Sequence, residues 1–348
     1  MAKIVYIADV CKEIFAGGDV PKDALSYEKT AEYNVPIFSN GEKNCGLYGY
    51  TNNARVKEPS ITVSARGTIG YTAIRTEPFV PVVRLITLTP KSEVIDLDYL
   101  FYATQNYKFE GSGTSIPQLT VPILKKYKFP LPEMSHQKTI AVKFEKLDQL
   151  ISLRKQQLAK LDELIKARFV EMFGDTRLNP NNFPCCSLSE YIVFLTSGSR
   201  GWSQYFTDSG EYFITIKNVK NCKITLQDVQ YVTPPDNAEA KRTRVQENDL
   251  LISITADLGR TGIVPKEIAE HGAYINQHLT CIRLKQDKLN PLYVAYYMES
   301  DAGKEQFVAK NQSAVKAGLN FNAINSLKLM VPPLALQNQF AAFVERVD

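Results

Sequence analysis

A few places in this 348-residue chain bring together residue types that carry out catalysis elsewhere. Asn290-Pro291-Leu292-Tyr293 approaches the Asn-Pro-Pro-Tyr signature of amino-methyltransferases. It lacks the second proline, and no Gly-rich loop follows a strand upstream to hold a cofactor. A helix N-terminus with Pro291 in its first turn accounts for it. Pro235-Asp236 followed by Glu239-Ala240-Lys241 imitates a P-D…E-x-K nuclease motif. Only Asn237 and Ala238 separate its halves, and carboxylates on adjacent strands need more chain than that. Gly111-x-Gly113-x-x-Ile116 lacks the third glycine and the strand–helix setting of a dinucleotide loop. No G-x-x-x-x-G-K-[S/T] phosphate loop occurs. His136, His271 and His278 stand far apart and away from Cys or carboxylates at ligand spacing, so no metal site is expected. The catalytic set is therefore expected to be empty.

Six cysteines, Cys11, Cys45, Cys185, Cys186, Cys222 and Cys281, form no C-x-x-C pair. That suits reduced thiols in a cytoplasmic protein. The N-terminal stretch has no basic lead-in or sustained apolar core, so no signal peptide is read there. No apolar run approaches the roughly 20 residues of a bilayer span, so no membrane partner is expected. Length suits two domains of about 150 residues and a connector. Hydrophobic residues at 44% supply a core for each. With 41 basic and 37 acidic residues the net charge is +4. That balance permits nucleic-acid binding without arguing for it.

The elements that position any site occur twice. At an offset of 200, Lys128, Pro132, Gln137, Ala141, Glu145 and Asp148 fall on Lys328, Pro332, Gln337, Ala341, Glu345 and Asp348. Weaker echoes run back in the same order at shorter offsets. Tyr99 answers Tyr293, Ser64 and Gly70 answer Ser253 and Gly259, and Gly17 answers Gly198. Repeats of this kind decide the architecture before local detail does. Ser60–Ile74 and Leu250–Val264 read as strand–turn–strand units, and Val80–Leu88 and Leu279–Leu284 as strands. Asp98–Thr104 and Pro291–Met298 read as short helices. The fold class is α+β: two globular domains with mainly β cores, joined by a long coiled-coil helix, with a second, shortened helix at the C-terminus. The boundaries are 1–134, 135–175, 176–334 and 335–348.

The connector is the clearest element. Ser135 can cap it, and Lys138 onward has no Gly or Pro until Gly174. Phe144, Leu147, Ile151, Leu158, Leu161 and Ile165 keep a heptad seam, which expects a partner helix. Residues 136–173 would span about 57 Å. The second copy begins alike, with Phe340, Phe343, Val344 and Val347 as its apolar face, and stops at Asp348. Three explanations stand open: a naturally short chain, a sequence that continues, or another chain completing the coil.

The duplicated arrangement resembles the specificity subunits of type I restriction–modification systems. The residues that carry the resemblance are the 111–119 loop, the Ser64-Ala65-Arg66-Gly67-Thr68-Ile69-Gly70 turn, and the stretch from Lys128 to Ile140 with its repeat from Lys328 to Phe340. The resemblance implies two target-recognition domains, each reading half of a split site in double-stranded DNA. It implies helices that space the half-sites and dock two methyltransferase subunits, with restriction subunits joining them. It places S-adenosylmethionine, ATP and Mg in those partner subunits, and no cofactor in this chain. The short second helix departs from the family pattern.

Phosphate contacts come from Lys, Arg and backbone amides, and base readout from polar loop side chains. The DNA-binding candidates are Arg66, Ser112, Thr114, Ser115, Lys125 and Lys126 in the first domain. In the second they are Arg200, Trp202, Lys217, Asn218, Lys241, Arg242 and Arg244. Two other readings compete: a scaffold or regulator of methyltransferase subunits that does not read DNA, and a fragment of a combined nuclease–methyltransferase. The first expects an acidic surface, the second the missing motifs.

Overall fold

The computed structural model describes residues 2–111, 117–311 and 318–347. The chain separates into two compact units, Met1–Lys155 and Gln156–Asp348. Among the described residues no helix is long and apolar enough to cross a membrane.

In the first unit, β1 (Lys3–Tyr6) leads through α1 (Ile7–Val10) into β2 (Cys11–Ala16). Then come β3 (Val35–Phe38), β4 (Leu47–Thr51), β5 (Ser60–Val63), β6 (Thr72–Arg75), β7 (Val80–Pro81) and β8 (Ile86–Pro90). Helices α2 (Leu97–Gln105) and α3 (Val121–Leu124) precede β9 (Lys128–Leu131) and the long α4 (Met134–Phe173). The main sheet is antiparallel in the order β2-β8-β5-β6, with a three-stranded sheet β4-β3-β7 and a β1-β9 pair. β5 and β8 are buried on both faces, one apolar and the other carrying Ser60, Thr62, Thr87 and Thr89. Ile61, Val63, Ile86 and Leu88 are buried with Ile7, Leu100, Leu119 and Leu124.

In the second unit the order is β10 (Cys185–Ser187), β11 (Ile192–Ser197), β12 (Phe206–Thr207), β13 (Glu211–Ile214), β14 (Val219–Lys220), β15 (Lys223–Ile224) and β16 (Gln230–Val232). There follow α5 (Ala238–Thr243), β17 (Leu250–Ser253), β18 (Thr261–Ile263), α6 (Lys266–His271), β19 (Ala273–Ile275) and β20 (Leu279–Leu284). The unit closes with α7 (Pro291–Glu299), α8 (Asp301–Ala309), α9 (Phe321–Asn325), β21 (Lys328–Met330) and α10 (Leu334–Val347). Its main sheet runs β11-β20-β17-β18, the same order as β2-β8-β5-β6. A second sheet, β12-β16-β13-β19, answers β4-β3-β7 of the first unit, its middle strand β13 pairing antiparallel with β16 and parallel with β19 as β3 does with β4 and β7, and adds β12.

The repeat is thus a shared hydrogen-bonding frame. Ile7 N–H donates to the Tyr127 carbonyl and Leu188 N–H to that of Leu327. Tyr99 Oη donates to the Pro130 carbonyl (2.6 Å) and Tyr293 Oη to that of Met330 (2.9 Å). Gln137 is buried at the start of α4. Its Oε1 accepts from Asp96 N–H (2.9 Å), and its Nε2 donates to the Val94 and Pro132 carbonyls. Gln337 repeats this at α10, accepting from Asn290 N–H (2.8 Å) and donating to the Pro132 counterpart, Pro332 (2.7 Å). In both turns after the second strand of the frame a left-handed glycine is required: Gly70 (φ 90°) and Gly259 (φ 79°). A Cβ there would run into Phe109 and Phe307 respectively.

Two sequence expectations need correction. α4 begins at Met134, so Ser135 lies inside it and is not its cap. Val80–Leu88 is not one strand: Val83 (φ 51°) and Arg84 (φ 64°) break it, held by Val83 N–H to Gly18 and Arg84 N–H to Gly17.

Replacing Gln137 or Gln337 by Ala strands buried backbone groups without partners. Each change should cost about 2 kcal/mol or more, read as a lowered urea midpoint. Gln149→Ala, on an exposed stretch of α4, should stay within about 0.5 kcal/mol.

Candidate nucleic-acid interface

In the first unit the β5–β6 turn closes on itself. Ser64 N–H donates to the Tyr71 carbonyl (2.8 Å), and Gly70 N–H to that of Ser64 (2.9 Å). The loop after β3 is stitched to this turn. Asn40 Oδ1 accepts from Ala65 N–H (2.7 Å), and Asn40 Nδ2 donates to the Val83 carbonyl (2.6 Å). Arg66 is half-buried, and its Nε and Nη2 both donate to Gln118 Oε1 (3.0 and 2.8 Å). Arg84 reaches the same oxygen through Nη1 (3.3 Å). Arg84 was not a sequence candidate, because reading 80–88 as a continuous strand hid the backbone reversal that presents it. Lys125 and Lys126 are exposed at the end of α3. Ser112, Thr114 and Ser115 lie outside the described residues.

In the second unit Arg200 and Lys217 are exposed. Trp202, placed at the DNA from its Gly/Ser-rich surroundings, is instead a core residue, 4% exposed. Its ring packs on Phe213 (5.8 Å), Tyr274 (5.2 Å) and Tyr205 (5.8 Å) between centroids. Asn218 is also withdrawn from solvent, at 1% exposure. Its Oδ1 accepts from Thr215 N–H and Oγ1, and its Nδ2 donates to the Thr225 and Gln227 carbonyls. It fastens a turn, as Asn side chains do when they mimic backbone.

Lys241, Arg242 and Arg244 are brought together as the sequence suggested, lining one shallow concavity with Phe194, Gln246 and Arg283. Lys241 pairs with Asp236 (3.0 Å) and Arg244 with Glu211 (3.2 Å). Arg242 donates to Thr196 Oγ1 and to the Ser197 carbonyl. Arg283, unnoticed in sequence, donates twice to the fully buried Asp249 (2.8 Å each), which raises its pKa. It stacks on Phe194. The surface pairs of Lys241 and Arg244 contribute little to stability, unlike the pair of Arg283 with the buried Asp249.

On α4, Phe144, Leu147, Ile151, Leu158 and Leu161 are exposed, Leu158 at 64%. Ile165 is the exception, at 1%: it belongs to the core of the second unit with Phe169, Phe173, Tyr293 and Phe340. It is therefore not available to a partner. Phe340 and Val344 of α10 are buried in the same cluster.

The motif look-alikes have structural roles. Asn290 Oδ1 accepts from Leu292 and Tyr293 N–H, capping α7. Asp236 is engaged by Lys241 beside α5. His278 Nδ1 lies 2.7 Å from Thr255 Oγ1, and His271 stacks on Tyr212. Among the described residues no three His, Cys, Asp or Glu side chains are grouped to hold a metal ion. Burial pushes the Cys11 thiol up to about 12, and raises those of Cys222 and Cys281. Thiols so raised are poor nucleophiles.

Trp202→Ala should cost about 3–5 kcal/mol as a large-to-small core change. Arg200→Ala should leave stability within about 0.5 kcal/mol. Chemical denaturation of both variants checks this.

A family model described as "Type I restriction modification DNA specificity domain" matches residues 2–163 and 203–348. The Mycoplasma pneumoniae protein S.MpnORF507P, named as a type I specificity subunit, is 36% identical over 172 residues, covering 46% of this chain and 47% of that one. The specificity subunit of the Escherichia coli type I restriction enzyme EcoBI is 19% identical over 316 residues, covering 82% of this chain and 66% of its own. The chain spans about half the length of two Mycoplasma pneumoniae specificity subunits that it matches. The crystal structure of a type I S subunit from M. genitalium shares the fold, with a TM-score of 0.56 at 16% identity, covering 100% of this chain and 89% of that one. A structure described for complex assembly of the type I R-M system gives a TM-score of 0.50 at 14% identity, over 99% and 89% of the two chains.

Proposed function

This chain belongs to the type I restriction modification DNA specificity family, and we propose that it is the sequence-reading subunit of such a system. Each unit reads one half of a bipartite site in double-stranded DNA. The observation that carries this reading is one four-stranded frame, built twice with the same strand order and different loop side chains. A duplicated frame with divergent polar loops suits two different half-sites. The functional division is 1–134 and 176–334 for reading, with 135–175 and 335–348 for spacing and docking.

The exposed apolar residues Phe144, Leu147, Ile151, Leu158 and Leu161 of α4 dock methyltransferase subunits, two to an assembly, and restriction subunits join them in the cytoplasm. The chain has no catalytic centre. S-adenosylmethionine, ATP and Mg are held by the partners, where adenine N6 methylation and ATP-driven cleavage take place. Lys241, Arg242 and Arg244 of the concavity supply sequence-independent phosphate contacts. A net charge of +4 is too small to hold DNA strongly without the charge of partners.

Duplex binding should therefore be weak for the chain alone and tight in the assembly. Its affinity should fall steeply between about 50 and 200 mM salt. A gel-shift titration with and without the methyltransferase subunit measures this; salt-independent binding would sink the DNA-reading proposal. Moving the half-sites apart by one base pair should abolish methylation, since α4 spans about 60 Å as one continuous helix. Unchanged methylation would show that α4 is no spacer.

A further inference from the structure

We propose that one node of each frame reads bases and sets the difference between the two half-sites: Arg66, Arg84 and Gln118 in the first unit, Thr255, His278 and Gly318 in the second. The proposal rests on the DNA-reading function above.

Strand register makes the two nodes equivalent. Ile61 pairs with Ile74 and Leu88, and Leu250 pairs with Ile263 and Ile282. Residues around β5 therefore answer those 189 places later, and residues around β8 those 194 places later. Arg66 corresponds to Thr255 and Arg84 to His278. The flanking hydrogen bonds agree. Leu119 N–H donates to the Ala65 carbonyl and Leu319 N–H to that of Ile254, both at 2.9 Å, which equates Gln118 with Gly318. Gly17 N–H donates to the Leu85 carbonyl and Gly198 N–H to that of Leu279. Leu85 N–H donates to Val82, and Leu279 N–H to Asn276.

Within this conserved surround the chemistry differs completely. In the first unit two guanidinium groups converge on one uncharged oxygen, Gln118 Oε1. No carboxylate pairs with either arginine among the described residues. Two like charges gather at one point only at a cost, and that cost disappears when an acceptor-rich group arrives. Guanine presents two acceptors, O6 and N7, at the spacing of a guanidinium fork. The amide oxygen of Gln118 holds the forks until a base displaces it. Arg84 is held there by left-handed backbone at Val83 and Arg84. A β-branched residue adopts such a conformation only where its surroundings impose it.

In the second unit the same place holds a hydroxyl and an imidazole in mutual hydrogen bond, Thr255 Oγ1 to His278 Nδ1 at 2.7 Å, and Thr255 forms a backbone bridge to Gly318. Asn40 has no role to play there, because Ile254 N–H bonds directly to the His278 carbonyl (3.0 Å). This node holds no guanidinium group, is compact and is able both to donate and to accept. The first node therefore favours guanine, and the second a different base pair.

The test is selection of bound duplexes from a randomised library by the full chain assembled with methyltransferase subunits. Wild-type chain should enrich a bipartite motif; no motif at all would overturn the DNA-reading function itself. Arg66→Gln or Arg84→Asn (Asn tolerates the left-handed backbone) should relax preference at one position of one half-site by about tenfold, leaving the other half intact. Thr255→Val or His278→Asn should relax the opposite half alone. Arg66→Lys keeps the charge and the fold but loses the fork, and should relax the same position. An unchanged motif in variants with wild-type melting temperature would overturn the node. So would equal weakening of every sequence, the mark of a phosphate contact.

Discussion

The architecture depends on a buried amide at the start of a helix. A glutamine side chain inside a protein must satisfy an acceptor and two donors, and an unmade bond there is expensive. Gln137 does so by bonding the backbone of two separate segments: residues 94 and 96 leading into α2, and residue 132 before α4. The amide thus fixes where α4 leaves the sheet. Gln337 imposes the same exit on α10. Once the helix and the frame are locked together in this way, the strand–turn–strand between β5 and β6, or β17 and β18, is held at a fixed place relative to the helix start. The loops can then vary without disturbing it.

That constraint explains what the sequence made legible. Gln137 and Gln337 stood out at an offset of 200 because an internal amide network tolerates no substitute. The glycines at 70 and 259 stood out because the backbone is left-handed and phenylalanine fills the space beside them. Periodicity revealed α4, since a heptad seam sustained over a long stretch free of Gly and Pro reads as a long helix that seeks a partner. Other features were hidden. Trp202 sits among Ser and Gly, a local signature of an exposed loop. Its burial comes from Phe213, Tyr274 and Tyr205, which lie far off or nearby in sequence with no shared pattern. Asn218 looks like a polar reader, yet its four hydrogen bonds are turned inward. Ile165 continues the heptad seam seamlessly, and only the fold shows that a core begins there.

The weak net charge also has a physical reading. Most cations of the second unit's basic concavity are already engaged: Lys241 by Asp236, Arg244 by Glu211, Arg283 by Asp249. These pairs are not alike. Asp249 is wholly buried, so its pair with Arg283 is structural, and removing one partner would strand a charge. Lys241 and Arg244 pair at the surface, where the attraction is screened and easily exchanged. A polyanion would recruit the second kind and leave the first in place.

Duplication and divergence then act on different parts of the same frame. The residues that pair strands, seat glycines and bury glutamines answer to the chain's own packing, and packing is the same problem in both copies. The residues at the mouth of each frame answer to whatever docks there. Packing alone would accept one answer at both mouths. The first has two guanidinium groups on a shared amide, the second a hydroxyl on an imidazole. Most of their backbone neighbours make the same hydrogen bonds; the departures are the N–H of Ala65 against that of Ile254 and the left-handed backbone at Val83 and Arg84. Those departures shape each place for its own side chains, and a bipartite ligand with unlike halves, as proposed above, is the simplest one that accounts for the difference.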